Sequence, residues 1–490
     1  MGIQGDRAAR ILGIALGNLI NALNPELILL GGGVMAGADL LLNGPIAELP
    51  AGPLSASVQA GVAFRGLDSR SSIGGVTQIG DVARNRGAAQ IDIALPILSR
   101  KPGSPSPFGT LSLNANVALE RLSDVGTLRT FGYGLAWSPV PAVNVIASAT
   151  HEEGAPTLEQ LGGPTLVTPN VRTFDLGRRE VVDVTRVSGG NPGLRSDDRH
   201  VVRLGVNIRP LAQKDLTLSV DYVATRIDRP IAAFPIVTPE IEAAFPGRFT
   251  RDDRGRLTGI DGRPLNFAES RQRQLRWGIN FTRPLGAVPP GFQAARMRVY
   301  SSEAEAMRAN PGAIMARAEP GSAMARAGDN LRSRLFVSLY HNWYLEDAIV
   351  LSDRLPTLDL LDGGAIDLRG GRRRHEIEAQ AGVFKRGLGA RVTTTWQSGT
   401  TLQGAGSAGD LRFPSFATVN VNLFANLADR FVGKTAPAWL KGTRASLGVT
   451  NLFNTRPQVR DRLGATPLSY QPAYLDPLGR TISFTLRKTV

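Results

Sequence analysis

Leu111-Ser112-Leu113-Asn114-Ala115-Asn116-Val117-Ala118-Leu119-Glu120 puts an apolar side chain at every odd position and a small or polar one at every even position. Successive side chains of a strand point to opposite faces, so this stretch specifies a strand with one apolar and one polar face. It has about the 9–11 residues that a tilted membrane-crossing strand requires, against about 5–6 for an ordinary soluble strand. The period of two recurs outward from it. Val202, Leu204, Val206 and Ile208 alternate with Arg203, Gly205, Asn207 and Arg209. Leu216, Leu218, Val220 and Tyr222 alternate with Thr217, Ser219, Asp221 and Val223. Ile91–Ile97, Val419–Leu423, Ala445–Val449 and Ile482–Val490 follow the same rule. The expected fold class is all-β: a transmembrane antiparallel β-barrel of roughly 14–17 strands, with Leu216–Tyr222 outward and Thr217, Ser219 and Asp221 toward the lumen.

Composition narrows the function. The chain has 490 residues with 42% hydrophobic content, and no apolar run reaches the ~18 residues of a membrane helix. Cysteine is absent, which removes disulfides, thiolate catalysis and Cys-based metal sites. The net charge is +14, carried almost wholly by arginine, since the lysines are only Lys101, Lys214, Lys385, Lys434, Lys441 and Lys488. Apart from Arg178-Arg179 and Arg372-Arg373-Arg374 these arginines are scattered singly, so nucleic acid is not an expected partner. Arg203 and Arg209 fall in the polar phase, where they would give a positive lumen that favours anionic solutes; arginine spread by composition, with loops that touch phosphate-bearing lipids, is the favoured alternative.

No constellation for catalysis, cofactor or metal emerges. His151, His200, His341 and His375 read as isolated, with no second histidine at metal-ligand spacing. Glu152-Glu153 and Asp197-Asp198 lie beside turn residues and read as external loop surface. There is no Walker loop, no G-x-S-x-G elbow and no dinucleotide fingerprint after a strand. The expectation is a non-enzyme without a cofactor, and its ligand-binding residues stay unknown.

Short connections (Pro139–Pro141, Pro210–Lys214, Arg386–Gly389) alternate with long ones, the barrel arrangement of tight turns on one side and loops on the other. The longest are Asp228–Glu269 and Gly286–Asn330. In the first, Arg251-Asp252-Asp253-Arg254-Gly255-Arg256 reads as a hairpin tip without calcium-loop spacing. The second reads as a loop with a helix at Ser301–Arg308. Gly132 and Gly134, around Tyr133, are expected to admit a neighbouring ring or a bend.

Residues 1–50 differ in kind. Ile11, Ala15, Leu19 and Leu23 recur at helical spacing until Asn24-Pro25 stops them. Leu27–Leu30 then reads as a short buried strand ending in Gly31-Gly32-Gly33. A short α/β N-terminal segment is expected, either packed outside the barrel or poorly ordered.

Four stretches carry a family resemblance. Thr450-Asn451-Leu452-Phe453-Asn454, Tyr474–Arg480 with the closing strand Thr481–Val490, Ala155–Leu161, and Gly190-Asn191-Pro192-Gly193-Leu194 resemble, in the right order, elements of the barrel of TonB-dependent outer-membrane receptors. The resemblance covers roughly residues 53–490. It implies the cell outer membrane, with its lipid as surroundings, and uptake of a small-molecule ligand such as a ferric siderophore. It also implies an inner-membrane energising complex as partner. Asn451, Leu452, Phe453, Gly479 and Arg480 are the signature residues and are read as structural. No stretch resembles the family's plug or partner-binding box, the strand count falls short of the ~22 of plugged transporters, and Val490 stands where an aromatic is usual. A truncated barrel without a plug is therefore expected, with an open or strained seam between Leu54–Phe64 and Thr481–Val490. A passive or non-functional barrel is the competing reading. Leu16–Ile46 resembles the C-terminal part of ROK-family sugar kinases, which implies a nucleotide-binding fragment, but the family's catalytic aspartate and zinc motif have no counterpart. A fusion explains the juxtaposition better than a bifunctional enzyme does.

Overall fold

The computed structural model describes residues 27–489 apart from 34–36, 74–75, 101–105, 176–177, 179, 212–214, 236, 286–332, 353–354, 367–369, 386, 404–409, 429–436 and 468–469. Its main sheet holds 17 strands. Apart from the two-residue Leu358–Asp359, they follow one another as a meander: β1 (Leu27–Gly33), β2 (Gly37–Leu49), β3 (Gly52–Ile73), β4 (Val76–Leu98), β5 (Thr110–Leu122), β6 (Gly126–Val140), β7 (Val143–Gly154), β8 (Asp197–Ile208), β9 (Asp215–Asp228), β10 (Glu269–Pro284), β11 (Arg334–Val350), β12 (His375–Lys385), β13 (Leu388–Gln397), β14 (Phe416–Asn426), β15 (Thr443–Thr450) and β16 (Thr481–Lys488). Each runs antiparallel to the one before it. Together they make one large antiparallel wall, whose first and last strands do not pair with each other among the described residues.

Register turns the sequence alternation into two faces, because residues opposite one another on paired strands share a side. One row runs Leu111, Trp137, Val145, Val206, Val220, Trp277, His341, Ile377 and Trp396. Another runs Leu216, Phe281, Val337, Ala381, Val392, Val421, Val449 and Ile482. Many of these large apolar side chains are solvent-exposed, among them Val220 at 45%, Val337 at 42% and Ile482 at 69%. An apolar surface this extensive, on one face of a sheet, far exceeds what soluble proteins leave uncovered. The opposite face is lined by Asn, Ser, Thr, Gln and charged residues. Facing within β9 follows: Leu218 and Val220 meet Ile279 and Trp277, while Ser219 and Asp221 meet Gly278 and Arg276.

The two ends of the wall differ. Turns join β2 to β3, β6 to β7, β8 to β9 and β12 to β13 at one end, and loops with their own secondary structure cap the other. The β3–β4 hairpin, with 22 and 23 residues in its strands, pairs with β5 only from Arg86 onward and projects beyond it on the loop side. The alternation is not strict: residues 123–125 make a tight β5–β6 turn on the loop side, and residues 427–442 a longer β14–β15 connection on the turn side. Pro284 pairs with Arg334, and Thr282 of the same strand end pairs with Asp215, so the long link from β10 to β11 leaves on the side of the short turns. The helix expected at Ser301–Arg308 lies outside the described residues.

Residues 27–49 correct the expectation of a separate α/β segment. β1 and β2 form a hairpin, Leu27 opposite Asn43 and Gly33 opposite Gly37, and β2 continues onto β3. A four-residue apolar run is ambiguous between a buried α/β strand and a sheet strand, and the glycines after it belong to the strand itself. The helix expected at Ile11–Leu23 lies outside the described residues. The seam also moves. β3 is paired on both sides, whereas β1 pairs only with β2 and β16 only with β15 among the described residues.

Candidate functional site

The polar face concentrates small and amide side chains because the strands alternate strictly. Asn43, Ser57, Asp92, Asn116, Gly132 and Thr150 form one row across β2 to β7. Asn43, Glu48, Ser57, Asp92, Asn114 and Asn116 line a cavity of about 470 Å³ there. A Cβ on Gly132 would come within 2.4 Å of Asn116 Oδ1, and one on Gly134 within 2.8 Å of Asn114 Oδ1. These glycines therefore make room for asparagine amides rather than for the expected aromatic ring.

Across β10 to β14 the same face carries rings and guanidinium groups. The Tyr340 ring lies over Gly278, Phe336 over Gly382 and Phe424 over Gly389, each where a Cβ would sit within 2.5 Å of ring atoms. Arg276 projects from β10 over Tyr340 at 4.4 Å, donates to Asn342 Oδ1 at 3.2 Å, and pairs with Glu378 at 3.3 Å. Arg391 lies over Phe336 at 5.7 Å and Arg444 over Phe424 at 4.0 Å. Asn280, Ser338, Gln380 and Arg391 help enclose a second cavity of about 370 Å³. Arg203, Arg391 and Arg444 have no carboxylate at ion-pair distance among the described residues, unlike Arg84, Arg86, Arg251 or Arg372. Arg203, Arg391 and Arg444 thus stand on the polar face without an ion-pair partner among the described residues, whereas Arg276 on the same face is paired.

Above the wall, loops from two hairpins share a small sheet. Leu257–Asp261 runs parallel to Glu180–Ser188, which also pairs with Leu166–Asp175, while Phe249–Arg251 closes the Arg251–Arg256 hairpin. The tip is tied by Asp252 Oδ1, which accepts the Arg254 and Arg256 N–H groups at 3.0 and 2.8 Å. Val182, Val184, Leu257 and Ile260 form its core. Asp175, 1% exposed, accepts from Arg251 at 2.7 Å, and Arg251 also grips Glu242. The hydrogen bonds that the guanidinium donates to Glu242 and Asp175 outweigh burial and raise its pKa above the ordinary value. Removing one partner of such a buried pair costs about 3–5 kcal/mol, so this bond fixes the two loops together. Burial pushes Asp261 up, but hydrogen bonds from Arg263 and the charges of Arg248 and Arg263 more than offset it, and its carboxyl lies below the ordinary 3.8.

The family-like stretches meet in space. In Ala155–Leu161, Thr157 caps α1 (Leu158–Gly162) in a reciprocal box with Gln160. The Asn191 N–H donates to Gln160 O and the Gly190 N–H to Gly163 O, so Gly190–Leu194 folds onto that helix. Arg84 of the projecting hairpin donates to Pro156 O at 2.8 Å. The five signature residues lie in two turns that clasp each other. Asn451 is buried with φ +53 and exchanges side-chain bonds with the Thr455 backbone at 2.7 and 2.9 Å. Asn454 Oδ1 accepts the Arg480 N–H at 3.0 Å, and the Arg480 guanidinium donates to Leu452 O at 3.3 Å. Gly479 takes φ +59 and donates to Asp476 Oδ1 at 2.9 Å, while Phe453 is 71% exposed.

The histidines are not isolated. His151 and His200 face each other across β7 and β8. His341 and His375 stack with centroids 5.3 Å apart. Trp277 Nε1 donates to His341 Nδ1 at 2.9 Å, and His341 Nε2 lies 3.2 Å from His375 Nδ1. That donor chain, with Trp343 beside it, is an aromatic cluster of the apolar face, the kind that belongs at a membrane–water boundary. Sequence spacing hides such meetings, since 34 residues separate His341 from His375.

No protein-family model and no curated protein matches the chain. Solved structures do. The ferric enterobactin receptor of Pseudomonas aeruginosa superposes with a TM-score of 0.53 at 14% identity, over 92% of this chain and 53% of that one. The siderophore receptor PirA of Acinetobacter baumannii gives 0.51 at 12% identity, over 92% and 54%. The chain thus spans about half the length of these receptors. At such identity the likeness is one of fold alone: the large antiparallel sheet follows the strand course of these receptors.

Proposed function

We propose that this chain forms the wall of an outer-membrane receptor for uptake of a ferric siderophore or a similar scarce nutrient, and that it is not an enzyme. The observation that carries the reading is a sheet with a continuous apolar exterior and a polar, arginine-bearing interior under a tied loop cap, in the fold of receptors for ferric siderophores. Outer-membrane lipid covers the exterior. Arg203, Arg391 and Arg444 draw anionic ligand by field focusing, and an inner-membrane complex supplies energy. The wall corresponds to residues 53–490 together with the β1–β2 hairpin, and the sugar-kinase resemblance of residues 16–46 adds no activity to it. A passive barrel is the competing reading, favoured by the one-sided pairing of β1 and β16.

The test is ligand binding by the detergent-folded chain, read from quenching of tryptophan fluorescence by ferric catecholate and ferric hydroxamate siderophores. Saturable binding weakened by Arg391→Ala or Arg203→Ala is expected. Vesicles made leaky to small sugars, with no saturable binding of any ferric siderophore, would establish the passive barrel instead.

A further inference from the structure

The outward face of β7 and β8 carries a second kind of chemistry. Asp198 and His200 lie two residues apart on β8, hence on one face, and register sets His200 opposite His151. His151 Nε2 and His200 Nε2 stand 3.1 and 3.4 Å from the same oxygen, Oδ1 of Asp198. Among the described residues this is the one group of three or more His, Asp or Glu side chains whose donor atoms all lie within 4.8 Å of one another. Donor atoms around a tetrahedral ion at about 2.0–2.1 Å are about 3.3 Å apart, so the observed spacing is that of ligands on a shared ion.

Asp198 Oδ1 is buried, meets no hydrogen-bond geometry, and has the two ring nitrogens as its ion-pair partners. A cation held between this oxygen and the two rings would serve all three ligand atoms at once. The surrounding charges leave that role open. Arg226, opposite His200, is held by Asp228 at 3.1 Å and Glu269 at 2.8 Å. Glu153, opposite Asp198, accepts the Arg129 N–H at 2.9 Å. The rings are also fixed in place: Phe131 stacks on His151 at 4.6 Å and 13°, and His200 meets His151 edge-on at 4.4 Å.

We propose that His151, Asp198 and His200 form a binding site for one zinc-class divalent cation on the outward face of the wall, at the loop-side border of its apolar surface. Two imidazoles and a carboxylate suit zinc, copper or nickel rather than calcium or magnesium, and leave a further coordination position open. The site is separate from whatever passes through the lumen.

Cobalt(II) is the probe, titrated into the full chain folded in detergent and followed by its visible absorption. One ion per chain in a low-coordinate geometry is expected. Even an outer partner of a ligand is worth roughly 10–100-fold in metal affinity, so His151→Gln, Asp198→Asn and His200→Gln should each weaken binding at least that much. A double His341→Gln, His375→Gln variant should bind as the parent does. Independently of any variant, zinc should shield His151 and His200, and not His341 or His375, from carbethoxylation read by mass spectrometry. No binding at micromolar metal, binding indifferent to the three substitutions, or loss of binding in the His341/His375 variant would overturn the proposal.

Discussion

Gly479 shows how a single residue holds the closing loops. Its φ of +59 is open to glycine at little cost, and a Cβ there would come within 2.5 Å of Asn454 Oδ1, the acceptor of the Arg480 N–H. Gly479→Ala is therefore expected to open the clasp between the Asn451–Asn454 and Asp476–Arg480 turns at a cost of about 1–3 kcal/mol. Faster proteolytic nicking between residues 452 and 480 in the folded protein reads this out; an unchanged rate would deny the clasp. In the cap, Asp261 has a depressed folded value, so its bonds to Arg248 and Arg263 stabilise the loops above the unfolded value of 3.8 and are lost as pH falls through the lower, folded one. Asp261→Asn should loosen the cap at neutral pH and remove that part of its acid sensitivity, seen as protease resistance against pH. An acid limb identical to the parent's would show that another carboxylate governs it. The signature residues were readable as turn-formers from the sequence, because asparagine and glycine tolerate positive φ. The partner that each turn grips was not, since Asn454 and Arg480 lie 26 residues apart.

The strands were the most legible elements, because period two needs no partner to be recognised. β5 and β9 follow the alternation of Leu111–Glu120 and Leu216–Tyr222, and register then carries each face to its neighbours. That facing has an energetic consequence. Leu218→Arg places a charge on the apolar side, which costs about 2–4 kcal/mol at mid-membrane depth, whereas Ser219→Arg points into the polar side and is tolerated. Folding titrations into lipid vesicles should separate the two variants by that margin, and equal losses would reverse the assignment. β1 and β2 escape the alternation for a physical reason. Their leucine runs, Leu27–Leu30 and Leu40–Leu42, do not alternate, so side-chain pattern is silent and only the backbone pairing identifies the hairpin. The histidine cluster on β7 and β8 was half legible: Asp198 and His200 share a face at any register, but His151 reaches them only through the pairing that the 155–196 loop separates in sequence.

At the scale of the molecule, the wall has two edges among the described residues. Unpaired N–H and C=O groups in hydrocarbon cost several kcal/mol each, so the free sides of β1 and β16 require partners, whether each other or further strands. A wall that spans about half of the receptors it resembles is compatible with either. The central claim does not depend on how the seam closes. It is that this sheet separates lipid from a polar interior, residue by residue. The chain has no cysteine, so single cysteines report facing without background. Asn116→Cys, Ser219→Cys and Thr393→Cys should react rapidly with a water-soluble thiol reagent in reconstituted vesicles. Their neighbours Val117→Cys, Leu218→Cys and Val392→Cys should react only with a lipid-soluble reagent or after detergent is added. Labelling that ignores this alternation, with Val117 and Leu218 as open to water as Asn116 and Ser219, would contradict the account.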